Sequence, residues 1–111
     1  MTRAVVATAY GGPEVLRLVD VDPGVPGPHE ALLEVRAAGV NPSDWKSYSG
    51  AWGTDPDRLP MRLGFEAAGV VVAVGREVLD VEVGDEVIAN PVSGAYAARV
   101  RVAASALVPK P

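Results

Sequence analysis

Apolar and polar residues alternate along most of the chain, in short runs bounded by turn residues. Residues 14–22, 33–37 and 96–102 show the alternation, residues 3–10 form a short apolar run, and residues 64–75 include a nearly continuous one. A period of two predicts strands with one wet face, whereas a continuous run is typical of a strand covered on both faces. About seven such strands separated by turns are the pattern of a β-sandwich or a closed barrel.

Glycine and proline mark the connections between these runs. The glycines at positions 11 and 12 predict a hairpin between the first two strands. The alternation changes phase between Leu18 and Val19, which predicts a bulge or a bend there. Residues 22–30 contain three prolines and two glycines, so we expect a surface loop, because proline lacks the N–H that ladders and helices need.

Composition and charge exclude several classes of function. The chain has no cysteine, which excludes disulfides, thiolate metal sites and cysteine nucleophiles. Ten basic against 14 acidic residues give a net charge of −4 without a basic cluster, which argues against nucleic acid as a partner. The longest uncharged run, residues 87–98, is too short and too polar to span a bilayer. No signal peptide is recognisable, and these features fit a cytoplasmic protein.

One polar cluster follows the third predicted strand. Asn41-Pro42 ends that strand, and Ser43 or Asp44 is expected to cap a short helical turn that ends near residue 50. One loop contains an amide, a hydroxyl, a carboxylate, an ammonium group and flat rings, contributed by residues 41–46, Tyr48 and Trp52. Such a mixture of groups in a loop is common in binding sites. The alternative is ordinary turn and cap chemistry with Trp45 in the core, and the residues alone favour it.

Two other residues are candidates for chemistry. Glu66 enters the apolar run 64–75, where a carboxylate needs a partner. We expect a structural acceptor for backbone or arginine donors, with Arg58 and Arg62 as the candidates, although Glu66 could also line a site. The single histidine, His29, lies in the proline-rich loop and is expected to be exposed. The chain contains neither G-x-G-x-x-G nor a P-loop pattern, so it lacks the usual glycine turn for phosphates.

Five motifs in order resemble one known family: residues 9–16 (AYGGPEVL), 38–44 (AGVNPSD), 63–71 (LGFEAAGVV), 83–87 (VGDEV) and 107–111 (LVPKP). Together they look like the N-terminal, GroES-like catalytic domain of a medium-chain dehydrogenase/reductase, and within that superfamily like the zeta-crystallin-like quinone oxidoreductases. The resemblance implies one domain over residues 1–111. It implies a mainly β fold, a GroES-like, partly open β-barrel with short helical turns.

The resemblance also implies that no zinc takes part. Zinc-dependent members have a Cys where this chain has Asn41 and a His where it has Phe65. Zinc prefers thiolate and imidazole donors, and neither an amide nor a phenyl ring replaces them. A zinc alcohol dehydrogenase is therefore excluded as a function. Hydrogen bonds and charge are expected to polarise the substrate instead.

The implied reaction is hydride transfer from NADPH to a quinone or to an activated carbonyl or alkene. The resemblance places Asn41, Asp44, Lys46 and Trp52 in the catalytic cleft. It places Asn41, Pro42 and Ser43 at the cofactor. Asn41 would donate to a substrate oxygen, and Asp44 would orient its neighbours or pair with a cation. Lys46, where relatives often have Tyr, would donate to a quinone oxygen or simply point to water, and Trp52 would stack on a flat quinone or form a wall of the cleft.

Relatives of this kind continue beyond the motif at residues 107–111 into a Rossmann domain that binds most of the cofactor. We therefore expect this chain to be part of a longer protein, inactive by itself, with an apolar patch where that domain docks. The full-length protein is expected to be a homodimer. The alternative is a stand-alone GroES-like binding or structural module without enzymatic activity.

Overall fold

Eight strands and one short helix make up the fold. The computed structural model describes all residues, 1–111. The strands are β1 (Thr2–Ala7), β2 (Leu16–Val21), β3 (Glu30–Ala38), β4 (Met61–Arg62), β5 (Ala67–Val74), β6 (Glu86–Ala89), β7 (Arg99–Ala103) and β8 (Leu107–Pro109), and the helix is α1 (Pro42–Ser49). Three single turns of 3-10 helix cover Pro13–Val15, Pro56–Arg58 and Ala104–Ala106. No helix of the protein has the length and apolar character needed to cross a membrane.

The first sheet has the order β2-β1-β4. Strands β1 and β2 form the predicted antiparallel hairpin, with Thr2 opposite Val21 and Ala7 opposite Leu16. The predicted bulge between Leu18 and Val19 is wrong, because the register runs through both residues without a shift. Strand β2 contains no fully buried residue, so burial does not impose a strict alternation on it.

The second sheet has the order β7-β3-β5-β6-β8, and all its pairs are antiparallel. Strand β3 carries Ala31 and Leu33 fully buried and Arg36 exposed, as its alternation predicts, but Ala37 is exposed as well, where the register with β5 shifts between Val35 and Ala37. Strand β5 was expected to be covered on both faces, but one face is buried and the other only half-buried. The edge strands β7 and β8 do not pair, so the barrel is partly open and the predicted mainly β fold is confirmed.

Two hydrophobic clusters hold the sheets and the helix together. The larger one fills the concave side of the second sheet and includes Leu33, Val71 and Val87, each of which contributes about 1.5–3 kcal/mol by leaving water. The smaller one joins Tyr48 of α1 to Ala7 of β1, Met61 of β4 and Leu63. Because Tyr48 is locked into this cluster, α1 lies at a fixed place against the first sheet.

The two sheets are joined by main-chain hydrogen bonds near the start of β7. The Val5 N–H donates to the Tyr96 carbonyl at 2.8 Å, and the Ala98 N–H donates to the Arg3 carbonyl at 2.9 Å. These bonds bring the segment before β7 against β1. The same segment continues into the loop that follows β6, which is the loop that faces α1.

Candidate functional site

Helix α1 begins directly after Asn41, which is its N-cap residue in an extended conformation. Pro42 follows at the first helical position, where its missing N–H leaves no bond unmade. The expectation that Ser43 or Asp44 caps the helix is wrong, because the helix starts before them. Asp44 completes the turn instead, since its carboxylate accepts the Asn41 N–H at 2.9 Å. The helix ends at Gly50, whose φ of +92° is the left-handed conformation that glycine permits.

The Asp44 carboxylate joins three separate segments of the chain. Besides the Asn41 N–H, it accepts the N–H of Gly64 at 3.1 Å and the hydroxyl of Tyr96 at 2.8 Å. Asp44 is only 4% exposed, so protein groups rather than water satisfy its charge. Burial, and after it the hydrogen bond with Asp44, raises the pKa of Tyr96 to about 12. Tyr96 therefore stays protonated and remains a donor to Asp44 at neutral pH.

Glu66 forms a second bridge beside the first. Its carboxylate accepts one hydrogen bond from the side-chain amide of Asn41 at 3.2 Å and another from Asn90 at 3.3 Å. Glu66 is thus a structural acceptor, but the expected arginine donors are wrong, because neither Arg58 nor Arg62 bonds to it. Amide donors replace them, since the loop after β6 brings Asn90 to the same place as Asn41.

A cleft of about 420 Å³ opens between α1, β4 and the loop after β6. Its lining combines apolar and polar groups from four parts of the chain: Asp44 and Ser47 of α1, Arg58, residues 61–65 and residues 90–94. The apolar wall is suited to a flat ring, and hydroxyl and guanidinium groups are available to hold oxygen atoms. The three segments that Asp44 joins run beside or into this cleft.

The structure brings only one of the predicted site residues into this cleft, Asp44. Asn41 does not line the cleft; it is half-buried and bonded to Glu66, which also accepts a hydrogen bond from Asn90 of the lining. Pro42 is exposed and Ser43 is half-buried in the first turn of α1. Neither Lys46 nor Trp52 lines the cleft.

Of the aromatic and basic side chains in this region, Trp45, Lys46 and Trp52 are at least partly exposed, whereas Tyr48 is buried. The Lys46 ammonium lies 5.9 Å from the centre of the Trp45 ring, a cation–π distance. Trp45 is 52% exposed, so the interpretation of it as a core residue is wrong. Trp52 is 57% and Val40 82% exposed, and both flank α1 in sequence. These exposed groups are candidates for the expected apolar patch.

Apart from Asp44, none of the residues that line the cleft was predicted as a site residue, and Ser47, Asn90 and Arg62 illustrate why. Ser47 is one helical turn beyond Ser43, to whose carbonyl its hydroxyl donates at 2.7 Å. Asn90 repeats the pattern of Asn41, since both precede a proline within three residues of the end of a strand. That repeat could have pointed to Asn90. No comparable sequence pattern marks Arg62, because its position next to the cleft depends on the pairing of β4 with β1.

The donor set does not suit a zinc ion. Phe65 offers no ligand atom, and the Asn41 amide is bonded to Glu66. No group of three or more His, Asp or Glu side chains is arranged so that it could hold a metal ion. The side chains at Asn41 and Phe65 therefore do not offer the thiolate and imidazole ligands that zinc prefers.

The architecture defines the class of the domain: two antiparallel sheets form a partly open GroES-like barrel, with one short helix packed against the first sheet. The chain belongs to the alcohol dehydrogenase GroES-like domain family, which matches residues 27–111. The resemblance to medium-chain dehydrogenases/reductases of the quinone oxidoreductase branch is thereby confirmed.

Curated relatives agree with this assignment. The chain is 42% identical over 99 residues to a quinone oxidoreductase of Lama guanicoe, a match that covers 87% of this chain and 30% of the relative. It is 39% identical over 113 residues to a quinone oxidoreductase of Mus musculus, covering 100% of this chain and 34% of the relative. The chain thus spans about a third of the length of the curated relatives it matches.

Solved structures give the same result. The Escherichia coli quinone oxidoreductase complexed with NADPH superposes with a TM-score of 0.90 at 35% identity, over 100% of this chain and 33% of that one. The quinone oxidoreductase of Pseudomonas syringae pv. Tomato DC3000 superposes with a TM-score of 0.90 at 38% identity, over 100% and 34%.

Proposed function

We propose that this chain is the catalytic domain of a zinc-independent, NADPH-dependent oxidoreductase that reduces a quinone or an activated carbonyl or alkene. The observation that carries the proposal is the cleft beside α1, with an apolar wall and polar donors, in a domain similar throughout to quinone oxidoreductases. Bound NADPH would supply a hydride there, and the protein would supply position, hydrogen bonds and exclusion of water.

Different residues of the chain would supply the positioning, the hydrogen bonds and the exclusion of water. Met61, Leu63, Phe65 and Val92 form the apolar wall that would hold a flat ring and keep water away from it. Asn41 has a second amide N–H beyond the one bonded to Glu66, and this N–H would donate to the substrate oxygen on which charge develops. Asp44, whose bonds all go to protein groups, is a positioning residue in this scheme.

The remaining site residues keep the roles that the resemblance implies. We propose that Asn41, Pro42 and Ser43 contact the nicotinamide end of the cofactor. Lys46 as a donor and Trp52 as a stacking surface stay predictions, since neither lines the cleft. No zinc is included, because Asn41 and Phe65 stand at the ligand positions.

The activity is proposed for a longer protein. Because the chain spans about a third of its relatives' length, we propose that a cofactor-binding Rossmann domain completes the cleft and binds most of NADPH. Residues 1–111 alone are then inactive. We propose a homodimer for the full-length protein, and its expected location in the cytoplasm stays a prediction.

The test is consumption of NADPH, followed at 340 nm, by the full-length protein with 9,10-phenanthrenequinone and with a simple enone. We expect turnover that survives prolonged dialysis against a chelator, with no stoichiometric zinc by elemental analysis. Asn41→Ser, which retains an N-capping oxygen, should lower kcat/KM at least about tenfold, the scale of one lost hydrogen bond to developing charge. Ser105→Ala, at an exposed position between β7 and β8, is the control.

Two results would contradict the proposal. Turnover that is lost with zinc and restored by it would remove the zinc-independent mechanism. Failure to oxidise NADPH with any quinone or enone would favour the alternative, a GroES-like binding module without enzymatic activity.

A further inference from the structure

Two arginines of the cleft have no acidic partner. Six of the ten basic side chains lie within 4.0 Å of a carboxylate: Arg3, Arg36, Arg76, Arg99, Arg101 and Lys110. Of the other four, Arg17 donates to two main-chain carbonyls and Lys46 lies against Trp45. The remaining two are Arg58 and Arg62, and both line the cleft of about 420 Å³.

Arg62 is held in place with part of its hydrogen-bonding capacity unused. It lies in β4, opposite Val6 of β1. Its Nε atom is buried and has no hydrogen-bond partner, and its Nη2 atom reaches the Gly94 carbonyl only at 3.4 Å. A Cβ at Gly94 would lie 3.0 Å from that Nη2 atom, so glycine leaves the space that the guanidinium occupies. A partly buried guanidinium with a free donor is costly alone and gains by binding an anion.

The acidic group that lines the same cleft does not neutralise these arginines. Asp44 lines the same cleft, but it forms no ion pair with either arginine and its oxygens accept bonds from Asn41, Gly64 and Tyr96. The cleft therefore combines two available guanidinium groups with an apolar wall. An aromatic ligand that carries an anionic oxygen group fits both features, whereas a neutral ring uses only the wall.

We propose that Arg58 and Arg62 form an anion subsite that makes this cleft selective for substrates with a sulfonate or carboxylate group next to a flat ring. The inference rests on the proposed function, because it takes the cleft beside α1 as the substrate cleft. The same chemistry would also hold a phosphate of the cofactor, and the experiment separates these two sources.

The first measurement is binding without turnover. Titration calorimetry on the full-length protein compares naphthalene-2-sulfonate with its neutral analogue naphthalene-2-sulfonamide. The expected preference for the sulfonate is about tenfold or more, the scale of one or two charge-assisted hydrogen bonds. Arg62→Gln and Arg58→Gln should each reduce this preference, while binding of the sulfonamide stays unchanged. Arg76→Gln, which removes the same charge at an 82% exposed side chain, should change neither.

Three outcomes would overturn the subsite: equal binding of the two analogues, the same loss in Arg76→Gln as in Arg62→Gln, or no loss in either cleft variant. Arg58 lies in an exposed 3-10 turn, so Arg58→Gln remains informative if Arg62→Gln does not fold. Circular dichroism of each variant checks that it is folded.

The second measurement separates substrate from cofactor and this inference from the proposed function. With saturating NADPH, the kcat/KM ratio of 1,4-naphthoquinone-2-sulfonate to 1,4-naphthoquinone should fall in Arg62→Gln, while the KM for NADPH is unchanged. A higher KM for NADPH with an unchanged quinone ratio would assign the arginines to a cofactor phosphate and refute the substrate assignment. Selective sulfonate binding without any quinone reduction would refute the proposed function and leave the anion subsite standing. Quinone reduction without a preference for the sulfonate would support the proposed function and refute the anion subsite.

Discussion

Removing the Asp44 carboxylate should destabilise the domain more than any other single change at the surface of the cleft. Asp44 is 4% exposed and accepts hydrogen bonds at 2.9, 3.1 and 2.8 Å from Asn41, Gly64 and Tyr96. Asp44→Ala leaves two main-chain N–H groups and one phenol without that acceptor. Each unsatisfied buried donor costs about 1–3 kcal/mol, so we expect a loss of about 3–5 kcal/mol after relaxation. That is a large part of the 5–15 kcal/mol typical of a domain.

Asp44→Asn should destabilise the domain less than Asp44→Ala, because an amide keeps part of the hydrogen-bonding geometry. Its oxygen can accept the Gly64 N–H, and its NH₂ group can donate to the Tyr96 oxygen once the phenol turns. Only the Asn41 N–H would then face another donor. We expect a loss of about 1–2 kcal/mol, one broken hydrogen bond with its unpaired donor.

The assay is urea unfolding followed by circular dichroism, with a double-mutant cycle between Asp44→Ala and Tyr96→Phe. The coupling energy between the two side chains should be about 1–2 kcal/mol, since they share one charge-assisted bond. Asp57→Ala, at an exposed carboxylate, is the control and should change stability by less than about 0.5 kcal/mol. The reasoning is refuted if Asp44→Ala costs no more than Asp57→Ala, or if the cycle shows no coupling.

Two further predictions concern alkaline pH and backbone packing. The fold raises the pKa of Tyr96 from 10.0 to about 12, so its stabilising contribution is complete below pH 10 and is lost as the pH rises towards 12. In urea titrations from pH 9 to 12, Tyr96→Phe should therefore lose stability less steeply than the wild type. Equal slopes would contradict this prediction. Gly75→Ala should lower the free energy of unfolding by at least about 1–3 kcal/mol, because its Cβ would overlap the main-chain carbonyl of Gly27, which cannot turn away as a side chain can. In the same unfolding experiment Gly12→Ala, whose Cβ meets only the exposed Glu14 carboxylate, should lower it clearly less. Equal losses in the two variants would contradict the packing argument.

The strands that the sequence predicted best are those with one face in the core. Strands β3 and β7 alternate because Leu33, Val100 and Val102 must be buried while their neighbours face water. The same rule failed at Leu18 and Val19, where neither face of β2 is fully buried and the pattern carries no constraint. The alternation is thus informative in proportion to the burial that enforces it.

The candidate site was predictable only as far as its bonds are local. The polar cluster that begins at Asn41 predicted a short helix ending near residue 50, but its cap was placed at Ser43 or Asp44, two or three residues after the observed N-cap Asn41. The partners of the Asp44 carboxylate were not predictable, because Gly64 and Tyr96 lie 20 and 52 positions further along the chain. Arg62 was predicted only as a partner of Glu66, and its place in the cleft was missed for the same reason, since its register against Val6 brings it there.

The structural and the functional interpretations of residues 41–44 are not exclusive alternatives. The three hydrogen bonds of Asp44 go to protein groups, so its role in the fold is to join the segments that carry Asn41, Gly64 and Tyr96. Yet the donors it binds belong to the segment before α1, the segment before β5 and the segment before β7, and these segments form or support the walls of the cleft. A carboxylate that fixes their separation also fixes the width of the cleft and the position of the Asn41 amide. Catalysis in such a site tolerates little displacement of a donor, so a residue with purely structural bonds would still control the reaction rate.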